Sequence, residues 1–238
     1  MDYLEFEKIF KNELINNKIN DKIDYKKFYD YMNLLLEWNE KINLTAITEE
    51  KEFIVKHFVD SLTVTRFLDN QNKIIDVGTG AGFPGIPLKI FDNNLQITLI
   101  DSVNKKINVL NDIIEKLKLN NIEAIHTRAE DFAHDLKNRE KYDIAVSRAV
   151  SNMSTLVEYL LPFVKIGGKV ICMKGPNYNE ELDLARNAIN ILGGKIKTIE
   201  TIKINEELER NIIIIEKIKN TPNKYPRGQG KPLKEPIK

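Results

Sequence analysis

The chain has a single cysteine, Cys172, in 238 residues. A disulfide within the chain is therefore excluded, which fits a reducing compartment. It also has almost no excess charge: 36 Lys and Arg against 35 Asp and Glu leave a formal net charge of +1. Bulk attraction to nucleic acid is excluded with it, so a nucleic-acid partner has to meet a local basic patch. No apolar run approaches the ~18 residues of a membrane span. The opening MDYLEFEKIFKNEL is charged throughout and lacks the apolar core of a signal peptide. With three histidines and one cysteine, no Cys–His cluster spaced for a metal exists and none is expected. Internal repeats are also lacking. What is there, 42% hydrophobic and 30% charged residues, suits a cytoplasmic globular chain able to bury a proper core.

Residues 1–70 carry no β-pattern. In 21–42, Ile23, Phe28, Met32, Leu35, Trp38 and Ile42 recur at helical spacings and make one apolar stripe. Thr48, before Glu49 and Glu50, offers an N-cap for a further helix running through His57. At residue 73 the texture changes to alternating strands and helices. Strands are expected at 73–77, 95–100, 122–127, 142–147 and 168–174, with helices at 104–118, from Glu130, across 153–164 and over 179–192. That alternation predicts a parallel sheet covered on both faces. The segments 195–204 and 211–219 are two further strands joined only by NEELER, too short for a crossover helix, so they are expected to be antiparallel. The resulting expectation is an α/β, Rossmann-like fold with a mostly parallel seven-stranded sheet and an antiparallel C-terminal hairpin. It divides as a helical extension (1–70), a catalytic domain (71–220) and a Pro/Gly-rich basic tail (221–238) that is extended or mobile. The tail sets five Lys or Arg against one Glu and offers a contact for RNA or simply a solvated end.

The turn after the first strand reads DVGTGAGFPG, residues 76–85. Gly78, Gly80 and Gly82 let the backbone turn sharply and let a ligand lie against it, ahead of a helix N-terminus. Gly80, Gly82 and Gly85 also satisfy G-x-G-x-x-G, and Asp101 lies 21 residues past Gly80, so a nucleoside cofactor of either the dinucleotide or the S-adenosylmethionine type suits the segment. Asp76 at the strand end favours the second, because an acid there faces the amino group of a methionine moiety but repels a pyrophosphate. The terminal hairpin and the lack of a second catalytic domain point the same way. Asp101 is the expected acceptor of the ribose hydroxyls, or else an N-cap of the next helix. Ala129 and Glu130, after the third strand, are candidates for the adenine, or a helix start favoured by the macrodipole.

Ser147 and Arg148 end the fourth strand, at the edge that faces the ligand crevice. The Asn- or Asp-Pro-Pro-aromatic motif of enzymes that methylate exocyclic amines is missing there. An exocyclic amine must shed a proton, whereas guanine N7 offers an in-plane lone pair and needs only alignment with the methyl donor. Arg148 is the residue expected to act in catalysis, on guanine O6, a phosphate or the methionine end of the cofactor. A surface ion pair is the alternative. Lys174 faces the same crevice in this reading. Lys105 and Lys106 are candidates for phosphate or a solvated helix face. Trp38 is expected in the core rather than as a base platform, His57 as a packed, hydrogen-bonded residue rather than a metal ligand beside Asp60 one helical turn away, and Cys172 as a buried small apolar residue.

Several segments carry a closer resemblance: WNEKINLTAIT (38–48), HFVDSL (57–62), IDVGTGAGFPGIPLKI (75–90), IDSVNKK (100–106), RAED (128–131), SRAV (147–150), MKG (173–175) and TPNKYPRGQGKP (221–232). From about residue 30 onward the chain resembles the bacterial 16S rRNA guanine-N7 methyltransferases of the RsmG (GidB) type. The resemblance implies S-adenosylmethionine as cofactor and N7 of one guanine in 16S rRNA of the small ribosomal subunit as target. It also implies that Gly78, Phe83, the Ala129–Glu130 pair and Arg148 line the cofactor site. A monomer is the expected state.

Overall fold

The computed structural model describes residues 1–69, 72–228 and 230–238. The expected boundary at 70/71, and Gln229 of the expected tail, lie outside the described residues. Helices α1 (Tyr3–Asn16) and α2 (Tyr25–Asn39) start where Asp2 and Asp24 accept hydrogen bonds from the backbone N–H groups of Glu5 and Lys27. Phe6, Phe10 and Leu14 of α1 and Phe28, Tyr31, Met32 and Leu35 of α2 form the buried faces. The helix expected after Thr48 is capped by Glu49 instead, whose carboxylate accepts from Glu52 N–H. It is not one regular helix. α3 (Glu50–Phe53) passes into a π-helical turn (Ile54–Val59), then α4 (Asp60–Leu62) and a 3₁₀ segment (Thr63–Phe67).

Seven strands follow: β1 (Lys73–Val77), β2 (Gln96–Asp101), β3 (Ile122–His126), β4 (Tyr142–Arg148), β5 (Val164–Lys174), β6 (Gly194–Lys203) and β7 (Glu209–Lys217). They form one sheet in the order β3-β2-β1-β4-β5-β7-β6, parallel through β5, with β7 antiparallel to both β5 and β6. The expected sheet and its closing hairpin are both found. Central strands β1, β2 and β4 are apolar runs buried on both faces, as parallel strands between helical layers must be, while edge strand β6 alternates buried and exposed residues.

Helices α5 (Gly85–Phe91) and α6 (Asn104–Lys116) pack with α1 and α2 in one hydrophobic cluster on one face of the sheet. α7 (Ala129–His134), α8 (Met153–Leu160) and α9 (Tyr178–Ile191) form the cluster on the other. Trp38 is half-buried against the first cluster, and its indole N–H donates to Asp112 Oδ2 at 2.7 Å, tying α2 to α6. Cys172 is fully buried, and burial pushes its thiol up to about 12.

The tail differs from the expected extended or mobile segment. Thr221, Tyr225, Pro226 and Pro232 are buried, and Lys231–Lys234 form a short helix, α10. The reason is hydrogen bonding from the body. Arg139 donates to the carbonyls of Thr221 and Tyr225, and Arg227 pairs with the fully buried Glu158 of α8 through two side-chain bonds of 3.0 and 2.8 Å.

Candidate functional site

The chain runs from β1 outward to β2 and β3, then returns to β4 on the other side of β1. Between the carboxyl ends of β1 and β4 the loops leave in opposite directions and open a crevice, the usual ligand position in such sheets. A cleft of about 420 Å³ lies there, walled by Gly78, Asp101, Lys106, Ala129, Glu130 and Tyr159 among others.

Each wall has a local cause. Gly78 has φ +70, a left-handed conformation natural to glycine, and a Cβ on it would stand 2.5 Å from Val150 Cγ2. Val150 is brought there because Ala149, straight after β4, also takes positive φ (57°). Asp101 ends β2. Its two oxygens accept from Gly80 N–H at 3.0 Å and Val103 N–H at 2.8 Å, which fixes the carboxylate and leaves lone pairs toward the cleft. Glu130 is 4% exposed, and no hydrogen bond among the described residues uses its carboxylate. The carboxylate opens on the cleft, where it can accept from a ligand. Beside it, burial first and then Glu130 push the Tyr159 hydroxyl up to about 12, so it stays a donor.

Of the sequence candidates, Gly78, Asp101, Ala129 and Glu130 share this cleft, and Gly80 supports it through Asp101. Asp76, Phe83 and Arg148 stand behind it. Asp76 is fully buried. Its Oδ2 accepts from Thr79 Oγ1 at 2.7 Å and Gly85 N–H at 2.9 Å, which pins the glycine turn, while Oδ1 has no partner. Burial, opposed by those bonds, raises its carboxyl to about 6. Phe83 stacks on the His57 ring at 4.4 Å. Arg148 lies over Phe83 and donates to Asp60 Oδ2 at 2.8 Å, to the Lys56 carbonyl at 3.1 Å and to His57 Nδ1 at 3.2 Å. Lys174 pairs with Glu181 and donates to the Ser151 carbonyl. Lys106 reaches the cleft and Lys105 is exposed.

Three participants escaped sequence reasoning. Arg210 of β7 grips Asp60 with Nε at 2.7 Å and Nη2 at 2.8 Å, across 150 residues. Tyr31 of α2 donates to the Ala81 carbonyl at 2.7 Å inside the glycine turn. Leu233 of the tail lines the cleft. No local signal marks Arg210 or Leu233. Tyr31 lies beside Met32 of the apolar stripe but was not among its members, and nothing local marks its phenol as a donor.

His57 occupies the π-helical turn. Burial, then the Arg148 guanidinium, lower it to about 3, so its ring is neutral. Nδ1 therefore accepts from Arg148, and Nε2–H donates to Thr45 Oγ1 at 2.8 Å. His57 is packed and hydrogen-bonded, and its side chain meets that of Asp60 through Arg148, which donates to both. Among the described residues no group of three or more His, Cys, Asp and Glu is placed to hold a metal.

The family model for GidB, rRNA small subunit methyltransferase G, matches residues 24–213. A "Ribosomal RNA small subunit methyltransferase G" from Clostridium novyi (strain NT) is 50% identical over 228 residues, 94% of this chain and 93% of that relative. One of the same name from Clostridium tetani (strain Massachusetts / E88) is 48% identical over 235 residues, covering 95% of this chain and 98% of that relative. Among solved structures, M. jannaschii TYW2 in complex with AdoMet has a TM-score of 0.53 at 17% identity, covering 68% of this chain and 76% of that chain. That likeness speaks to the fold alone.

Proposed function

The chain belongs to the GidB family of rRNA small subunit methyltransferases, and from that premise we propose that it transfers a methyl group from S-adenosylmethionine to N7 of one guanine in 16S rRNA. The observation that carries the reading is the cleft at the carboxyl ends of β1 and β4, whose walls fit this cofactor. Gly78 leaves bare backbone where a side chain would intrude. Asp101, held by two backbone N–H groups, accepts from paired ribose hydroxyls. Glu130, buried and without a partner among the described residues, accepts from an exocyclic amine, and Ala129 N–H at the start of α7 serves a ring nitrogen.

When bound, S-adenosylmethionine supplies a methyl group activated by a sulfonium. The protein's share is alignment and exclusion of water. Guanine N7 needs no proton removed, which suits a fourth strand that ends without a poised base. Ser147 is fully buried and donates to the Val77 carbonyl at 2.8 Å, and Arg148 is already engaged by Asp60. In this reading Arg148 orders the floor of the crevice and presents its remaining N–H groups to the substrate.

The reading includes a cytoplasmic monomer acting on the small subunit or its assembly intermediate, with residues 1–70 as a helical extension of the catalytic domain. Among the described residues no helix is long and apolar enough to cross a membrane. The test is transfer of radiolabelled methyl to small-subunit particles from a strain lacking the enzyme, with the modified base mapped. One labelled guanine N7 is expected. Label on another atom moves the target. No RNA label, despite cofactor binding, moves the substrate to a small molecule or protein.

A further inference from the structure

The tail is where the structure departs furthest from a disordered basic end. We infer that the described residues of the tail, 221–228 and 230–238, build the adenine-side wall of the cofactor cleft, with Leu233 as the contact residue, rather than an arm for RNA. The inference rests on the cofactor lying in the cleft described above.

Several anchors from the body hold the strap. His134 Nε2 at the end of α7 bonds the Pro226 carbonyl at 2.8 Å. Arg139 donates to the carbonyls of Thr221 and Tyr225, each at 2.8 Å. Arg227 grips Glu158 with its backbone N–H, Nε and Nη2, and with Nη2 it also holds the Glu235 carbonyl at 2.7 Å. Thr155 Oγ1 donates to the Pro232 carbonyl at 2.9 Å. The last bond decides the position of Leu233. Thr155 and Tyr159 are four residues apart on α8, so they share one helix face. Tyr159 lines the cleft next to Glu130, whose charge raises its hydroxyl further. Leu233, one residue past the anchored Pro232, reaches the same end of the cleft.

Leu233 is 61% exposed and lines the cleft, so its isobutyl group is free to meet a ligand held there. An adenine ring held through its edge by Ala129 and Glu130 provides such a surface. The tail's charges are also less available to phosphate than their number suggests, because Arg227 is committed to Glu158.

The test compares the full-length wild type, Leu233→Ala and Leu233→Met. Calorimetric affinity for S-adenosylhomocysteine is read beside KM for S-adenosylmethionine and KM for small-subunit particles. Because Leu233 is mostly exposed, both variants are expected to melt with the wild type. Leu233→Ala is expected to weaken S-adenosylhomocysteine and raise KM for S-adenosylmethionine about five- to tenfold, the loss from uncovering one aliphatic side chain. Leu233→Met is expected to restore both, with KM for particles unchanged throughout. Unchanged cofactor affinity in Leu233→Ala overturns the inference. If KM for particles rises in its place, the tail is an RNA contact. A wild type that binds no S-adenosylhomocysteine at all refutes the functional reading itself, and the two failures are thereby distinguished.

Discussion

Replacing His57 by glutamine isolates one titration that the fold suppresses. Burial, and secondarily Arg148, hold the ring neutral down to about pH 3, whereas an unfolded chain protonates it near 6.5. Below that value the unfolded state takes up a proton the native state refuses. His57 thus costs no stability above pH 6.5, and stability is lost as pH falls, by about 1.4 kcal/mol per unit and about 2 kcal/mol by pH 5. Set against a total of roughly 5–15 kcal/mol, that is readable. Glutamine keeps a side-chain acceptor for Arg148 and a donor for Thr45 but does not titrate. Its variant loses the stack on Phe83, so its absolute stability falls at every pH. The slope is the observable. Urea unfolding followed by Trp38, the single tryptophan, at several values from pH 7.5 to 5 gives both curves. The wild type is expected to lose about 2 kcal/mol more than the variant over that range. Parallel curves would refute a neutral His57 and with it the assigned direction of the Arg148 hydrogen bond.

Asp60→Asn leaves Arg148 and Arg210 facing each other without their carboxylate, and a loss of about 3–5 kcal/mol in urea is expected; a loss below 1 kcal/mol contradicts the pairing. Gly78→Ala places a methyl against Val150 at positive φ, and calorimetry is expected to show S-adenosylhomocysteine affinity down by about tenfold or more, with unchanged affinity ruling out close approach to that turn. Asp76, raised to about 6 by burial, adds stability that is fully present below its unfolded value near 3.8 and is lost as pH rises through 6, by about 3 kcal/mol; Asp76→Asn should abolish that decline, and a variant with the wild-type slope between pH 4 and 6 sinks the assignment. Tyr31→Phe strips the Ala81 carbonyl of its donor, for an expected loss of about 1–3 kcal/mol by urea unfolding, and an unchanged midpoint would mean that water replaces the phenol.

How much of this was legible in the sequence depended on the range of the interactions. The sheet was readable because β1, β2 and β4 are runs of apolar residues bounded by turns, and because NEELER is too short to allow anything but a hairpin. Gly78, Asp101 and the Ala129–Glu130 pair were readable because each lies at, or within four residues of, the carboxyl end of a strand, and strand ends converge in a parallel sheet. Arg148 was placed at the right edge, but the direction of its guanidinium was not legible, since Asp60 lies 88 residues away on a segment whose π-helical turn has no simple periodic signature. The tail was misjudged for a physical reason. Composition reports propensity, and a segment rich in proline, glycine and lysine has little of its own to hold it. Its order comes from Glu158, Arg139, His134 and Thr155, all located in the body.

Asp60 shows why the helical extension and the methyl-transfer fold depend on one another. A fully buried carboxylate facing one arginine keeps lone pairs unsatisfied, and here a second arginine from the opposite end of the chain supplies the missing donors. The result joins the segment before β1, the end of β4 and the start of β7 through a single side chain. Each partner alone is a liability: two arginines close together repel, and one buried carboxylate without them has no donors. Tyr31 adds a second tie, from α2 into the backbone of the glycine turn, where a Cβ at Gly82 would strike its hydroxyl at 2.7 Å. The turn that leaves room for a ligand at Gly78 is therefore braced from below by Asp76, from behind by Tyr31 and from the side by the stack of Phe83 on His57. A change in the helical extension should then reach the cofactor through the geometry of this turn, without any contact between the two.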